Sequence, residues 1–489
     1  KIRKADFITY FSDLKEKRFE SRNNYDNWDA VEKHLKAFAP NGITFEQLSV
    51  QKVQEFRNYL DKKARTKSVT GLSQNSKHSY FNKFKAALKQ AHSQAQDLLD
   101  FIDTSPSPWH AVASTEILLK QNGFTPLNES DHWQLSSGGR HYVIRGGGSI
   151  IAFIVGSKSV VETGFNMVGA HTDSPGLRLK PHAAFSSDGL IRIGVEVYGG
   201  PILATFTDRD LSIAGRVNVR SASGFETKLI KFDQALIRLP NLAIHMNREV
   251  NDKGLKLNKQ TELPLIFGES KDGVAAEQQF LNHIAQALEV TVADIINFEL
   301  NVFDTQKGTI WGQHQEFIAD SQLDNLASCH AAITALTNTK HPTSTAICAL
   351  FDHEEVGSES AMGASGSFLA DVIHRIGLSQ NLSQEDALRA LAKSFFISAD
   401  MAHAYHPNHA GSYEPCHHAL VNKGPVIKTN ANQRYATSAD SAAKFILNDP
   451  GSLRACIAAA DVCGTRDGYF KNPLSVGEDM NVTGRFGVG

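Results

Sequence analysis

The strongest constraint on the fold is a discontinuity near residue 94. There a basic, uniformly helical pattern gives way to an acidic chain that alternates strands and helices. Before it, Phe7, Tyr10, Phe11 and Leu14 recur at helical spacing. Trp28, Val31, Leu35 and Phe38 repeat the pattern, followed by Phe56, Tyr59 and Leu60, then Tyr80, Phe81, Phe84 and Leu88. Apolar residues three and four apart line one side of a helix, and Pro40, Asn41, Gly42 and Gly71 punctuate the stretch into about four of them. Residues 1–94 hold 19 Lys and Arg against 10 Asp and Glu, a balance of +9; the other 395 residues carry 31 against 42, or −11. From Ser79 to Asp103 the apolar positions Phe81, Phe84, Leu88, Leu98, Leu99 and Ile102 continue without Gly or Pro. One unbroken helix is therefore expected to cross the change of charge.

A chain of 489 residues, 41% of them hydrophobic and with 50 basic against 52 acidic side chains, can bury several cores and is not disordered. No apolar run approaches the roughly 18 residues of a membrane span, so a soluble protein is expected. The five cysteines are scattered with no CxxC pair, which fits reduced thiols in the cytoplasm; Cys456 and Cys463 read as ordinary thiols.

Beyond the discontinuity, "RHYVIRGGGSIIAFIVG" reads as paired strands around a Gly turn. "FNMVGAHTD" and "TSTAICALFDHEEVGS" read as buried strands that empty into polar residues. Such strand ends point to an α/β sheet with its site at the carboxyl edge. The stretch from "GLIRIGVEVYGG" to "AGRVNV" has no helical interruption and reads as a β-rich insertion. Four acid and histidine clusters stand out: His171 with Asp173, Asp324, Glu354 with Glu355, and Asp400. In extended backbone i and i+2 share a face, so Asp173 can orient the His171 imidazole. One neutral nitrogen and several hard carboxylates suit two zinc-type ions sharing a bridging carboxylate. Adjacent acids point apart, so one of the Glu pair can bind metal and the other act as a base.

These motifs, with "LLDFIDTSPSPWHAV", "GAHTDSPGLRLKP", "PNLAIHMNREVN", "FIADSQLDNLAS", "SADMAHAYHPN" and "GPVIKTNANQRYAT" in the same order, closely resemble the aspartyl aminopeptidases from about Ala95 to Phe445. That family consists of zinc metallopeptidases that remove N-terminal Asp or Glu from peptides. The resemblance implies that His171 and Asp400 hold one zinc, Asp324 bridges and Glu355 holds the second. Glu354 would be the general base, with Asp173 supporting His171. It further implies Lys428 as the cation facing the substrate carboxylate, Tyr435 as its hydrogen-bonding neighbour, and His245 as a residue reaching into a neighbouring subunit's site.

By the same resemblance the fold class is α/β. Catalytic parts at residues 95–175 and 314–447 flank an inserted β-rich dimerisation domain at 176–313, and a tetrahedral dodecamer admitting only peptides is expected. The family's closing segments, one of which carries a histidine completing the second zinc site, find no counterpart in residues 448–489, and no histidine follows His418. An incomplete second site and an impaired, scaffold-like protein form the alternative expectation.

The stretches "NYDNWDAVEKHLKAF", "ITFEQLSVQKVQEFRNYL" and "NSKHSYFNKFKAALKQA" in residues 1–94 resemble the helical core-binding domain of tyrosine recombinases, the phage integrase class. That resemblance implies a small all-α bundle with DNA binding as a residual property, set against a plain solvated helix surface. No recombinase Arg/His/Tyr constellation follows, and the two resemblances share no evident pathway, which favours an engineered helical fusion.

Overall fold

Apolar spacing in the first hundred residues is realised as helices. The computed structural model describes residues 7–17, 22–43, 47–48, 50–66, 70–313, 315–416, 418–421, 426–431 and 435–447; residues 448–489, with Cys456 and Cys463, lie outside the described residues. The first four helices, Phe7–Lys17, Arg22–Phe38, Val50–Lys62 and Gln74–Asp103, enclose Phe7, Phe11, Trp28, Val31, Leu35, Phe56, Leu60 and Phe84. Part of the basic excess is neutralised within this bundle. Lys15 Nζ lies 2.8 Å from Glu32 Oε2, both side chains nearly buried, while Lys36 and Lys33 pair with Glu32 and Asp29.

The Gln74–Asp103 helix has 30 residues, hence a length of about 45 Å. Ser73 Oγ caps its start by accepting from the Ser76 N–H at 3.2 Å. Phe84 and Ala87 belong to the bundle core, whereas Ala95, Leu98, Leu99, Phe101 and Ile102 belong to the core that follows. The expected continuous helix across the charge boundary is present.

The following core surrounds a six-stranded sheet in the order Thr125–Pro126, Arg140–Arg145, Ser149–Ile154, Thr345–Phe351, Phe165–His171, Phe395–Ser398. The Ser149–Ile154 and Thr345–Phe351 strands are buried along their whole length, as strands covered on both faces must be. Ile150, Ala152, Cys348 and Leu350 face the helices Gln74–Asp103, Pro108–Gln121 and Leu323–Asn338. Their alternates Ile151, Phe153, Ile347 and Ala349 face the Phe368–Ser379 helix. The Gly turn read from sequence joins Arg140–Arg145 to Ser149–Ile154 in antiparallel register.

A second six-stranded sheet, antiparallel throughout, has the order Gly224–Lys231, Leu211–Ser221, Ile295–Asp304, Gly176–Ser187, Leu190–Tyr198, Leu265–Glu269. Its strands all fall within the stretch read as an insertion. The helix Ala276–Leu288 covers one face through Phe280 and Ile284. Among the described residues no helix is long and apolar enough to cross a membrane.

Candidate active site

Three parallel strands end side by side, and their register sets the site. Phe351 pairs with His171, and Ser398 pairs with Gly169, so His171, the Asp352–Glu355 segment and Asp400 leave the sheet at one carboxyl edge. Hydrogen bonds lock these ends together. The Thr172 N–H donates to Phe351 O and the Ala399 N–H to Gly169 O, both at 2.7 Å. Asp324 arrives from above the sheet at the irregular start of the Leu323–Asn338 helix, where its backbone is extended (φ −85°, ψ 106°). Ser174 Oγ donates to Asp324 O at 2.7 Å, and Asn325 Nδ2 donates to Ala399 O at 2.8 Å, tying that start to two strand ends.

The His171 imidazole is the hub. Its Nε2 lies 3.5 Å from Asp324 Oδ1, 3.7 Å from Asp400 Oδ1 and 3.8 Å from Glu354 Oε2. Its Nδ1 is 2.9 Å from the Asp173 backbone carbonyl; a carbonyl only accepts, so Nδ1 carries a hydrogen and Nε2 is the nitrogen presented to the carboxylates. Burial opposes charge on this ring, yet Asp173, Asp324 and Asp400 hold its pKa well above the usual imidazole value. Behind it the buried Cys329 donates its S–H to His171 O at 3.0 Å, and burial pushes that thiol up to about 12, so it remains a thiol.

Asp173 lies against the His171 imidazole, as its i+2 spacing suggests, but more closely through its backbone than through its side chain. Its backbone carbonyl, not its carboxylate, takes the His171 Nδ1–H; the nearer carboxylate oxygen is 3.4 Å away. The carboxylate instead accepts from the backbone N–H groups of Glu354 and Glu355, each at 3.1 Å, and from the Tyr198 hydroxyl at 2.8 Å. Burial opposes its ionisation, but these donors and His171 hold its pKa below the usual carboxylate value. Asp352, the residue that follows the Thr345–Phe351 strand, is pushed up to about 7 by burial and by the charge of Asp173.

Carboxylates crowding one imidazole repel one another unless a cation lies among them. His171, Asp324 and Glu355 each present one donor atom, all within 4.8 Å of one another. One imidazole nitrogen with hard carboxylate oxygens is a zinc-type donor set, so the residues fit such an ion.

Lys428 is not a solvated surface lysine, since its side chain is only 14% exposed. Its Nζ lies 3.6 Å from Asp400 Oδ2 and donates to Met401 O at 3.4 Å, with the Tyr435 ring centroid 5.3 Å away. His245 is not brought to the cluster: it lies in an exposed turn of the 240–249 segment, beside exposed Ile244 and Met246. Tyr198 and Arg178, both from the second sheet, were not singled out in sequence. The only signal for Tyr198 was its place before Gly199 and Gly200 at a strand end.

The sequence profile described as "Aminopeptidase I zinc metalloprotease (M18)" matches residues 101–447. The chain belongs to the M18 aminopeptidase family. It is 44% identical over 353 residues to a "Probable M18 family aminopeptidase 2" of Pseudomonas aeruginosa, covering 72% of this chain and 81% of that protein. A protein of the same description from Clostridium acetobutylicum is 43% identical over 354 residues, covering 72% and 82%. Among solved structures, the one titled "Cryo-EM structure of the Ape4 and Nbr1 complex" matches with a TM-score of 0.69 at 34% identity, covering 79% of this chain and 80% of that one. "Structure of S. cerevesiae mApe1 dodecamer" matches with a TM-score of 0.63 at 26% identity, covering 79% and 94%. Residues 6–100 match the profile of the phage integrase SAM-like domain. Family membership supports a metal-dependent aminopeptidase, joined to an integrase-like helical bundle.

Proposed function

We propose that this M18 chain removes an acidic residue from the N-terminus of peptides, and that the carboxyl edge of the first sheet is its catalytic site. The observation that carries this reading is the convergence of Asp324, Asp400 and Glu354 on His171 Nε2. His171, Asp400, Asp324 and Glu355 would hold zinc, with Asp324 between two ions if both bind. Bound zinc supplies Lewis-acid polarisation of the scissile carbonyl and lowers the pKa of the attacking water.

Glu354 takes one proton from the water as its oxygen bonds to the carbonyl carbon, then delivers that proton to the amine nitrogen as the C–N bond breaks. Asp173 holds the Glu354 and Glu355 backbone in place. Lys428, beside Tyr435, binds the side-chain carboxylate of the substrate's first residue. His245 acts only from a neighbouring copy in a homo-oligomer, in keeping with the dodecamer named for mApe1. The bundle's internal ion pairs leave DNA binding as a residual property, and the setting is cytoplasmic.

The test is a zinc count on the purified full chain together with hydrolysis of peptides beginning with Asp and with Leu. Bound zinc and preferential cleavage after Asp support the reading. Zinc-free protein that cleaves neither peptide after zinc is restored supports the impaired scaffold instead.

A further inference from the structure

Asp173 is where the two sheets meet chemically. Its carboxylate is fully buried, and its donors come from two directions. Two are the Glu354 and Glu355 N–H groups, to Oδ1 and Oδ2 respectively. The other is the Tyr198 hydroxyl, also to Oδ2, from the last residue of the Leu190–Tyr198 strand in the second sheet. Arg178, on the adjoining strand, places its guanidinium carbon 3.7 Å from the Tyr198 ring centroid, within cation–π range. Nε and Nη2 of that guanidinium are buried and have no hydrogen-bond partner among the described residues, while the Trp109 ring lies farther off, 5.8 Å from the guanidinium carbon.

A second observation joins the same strand end to the same turn. Gly199 follows Tyr198 with φ +64°, and a Cβ there would press on Glu355 Cβ at 3.1 Å. Only glycine combines that backbone conformation with so close an approach. The second sheet thus touches the Glu354–Glu355 turn directly through Gly199 and indirectly through Tyr198 and Asp173.

We propose that Tyr198, held flat by Arg178, is a positioning residue that fixes the Asp173 carboxylate and through it the backbone of Glu354 and Glu355, so that the second sheet sets the aim of the catalytic base and of a zinc-binding carboxylate. This rests on the peptidase reading for the roles of the two glutamates. Without the hydroxyl, Oδ2 keeps one donor and the carboxylate is free to rotate toward His171 Nδ1, releasing an N–H of the turn. Reacting groups tolerate displacements of only about 0.5 Å, and partners behind metal ligands contribute about 10–100-fold to affinity or rate.

Tyr198→Phe in the full chain removes only the hydroxyl. The expected result is a fall in kcat of about 10–100-fold on an Asp peptide, a zinc affinity about tenfold weaker in chelator competition, and a thermal midpoint lowered by no more than a few degrees, the effect of one lost hydrogen bond to a buried carboxylate. KM should stay within about twofold, because the lost interaction acts on the reacting groups rather than on substrate binding. Unchanged kcat and zinc affinity, or a loss confined to KM, overturns the proposal. If the wild-type chain cleaves no peptide, the peptidase reading fails separately. The zinc competition then decides alone: weaker binding by the variant supports the positioning role and equal binding overturns it. Arg178→Met tests the stacked partner. Combined with Tyr198→Phe it should weaken zinc binding no further than Tyr198→Phe alone, and additive losses refute the part assigned to Arg178.

Discussion

Replacing Lys428 with Met keeps the length of the side chain and removes its charge, and the consequence divides into two effects that a pair of substrates separates. The first is common to all substrates. Lys428 Nζ lies 3.6 Å from Asp400 Oδ2, so its loss removes that ammonium from beside Asp400 and perturbs the site whatever the peptide. The second concerns only an acidic first residue. Two unit charges 4 Å apart at an effective dielectric near 20 attract by about 4 kcal/mol, and desolvation of both returns part of this. Hydrogen bonds to charged groups retain about 1.5–3 kcal/mol. A net loss of about 2 kcal/mol corresponds to roughly 30-fold in kcat/KM. The readout is the ratio of kcat/KM for peptides that differ only in beginning with Asp or Leu. In Lys428→Met that ratio should fall about 30-fold, with any common loss cancelling. An unchanged ratio, however low both rates become, refutes the assignment of Lys428 to the substrate carboxylate.

Glu354→Gln keeps the turn, whose N–H groups still reach Asp173, but removes the proton acceptor; kcat should fall about 10²–10⁴-fold with zinc content unchanged, and a fall under threefold would contradict its role as base. In the bundle, Glu32→Ala removes the nearest partner of the buried Lys15 ammonium, which keeps Asp29 Oδ1 at 3.3 Å, and local stability read by hydrogen exchange of the full chain should drop by about 1–3 kcal/mol. Burial opposes ionisation of Glu32, but Lys15 and Lys36 prevail and depress its pKa. Its stabilisation is therefore present above the unfolded carboxylate value near pH 4.3 and lost as pH falls through the lower folded value. Faster bundle exchange only on the alkaline side would contradict that sign. Backbone amides of residues 85–100 should exchange slowly, as the continuous Gln74–Asp103 helix requires; rapid exchange there would break the rigid junction.

Much of the site was legible because three of its elements are strand ends. An apolar run that empties into polar residues marks the carboxyl edge of a sheet, which sufficed to single out His171, Glu354, Glu355 and Asp400. The four helices that begin in residues 1–94 are legible for the same reason, since Phe7, Trp28, Phe56 and Phe84 declare their faces by spacing. What sequence could not supply was the partner of each carboxylate. Asp173 reads as a companion of His171 because they are two residues apart, yet its carboxylate serves a turn some 180 residues later and a tyrosine on another sheet. Tyr198 and Arg178 look like ordinary strand residues, because the crossing of the two sheets that brings them to Asp173 leaves no periodicity. His245 shows the reverse case, a residue implied by family likeness that a single subunit leaves on its surface.

The central claim is that these carboxylates gather around His171 to hold zinc, and the most direct measurement is zinc per chain in the wild type beside His171→Ala. At least one tightly held zinc per chain is expected in the wild type, surviving gel filtration, and its loss in a folded His171→Ala protein. Equal zinc in both proteins, or none in the wild type after incubation with the metal, would contradict it.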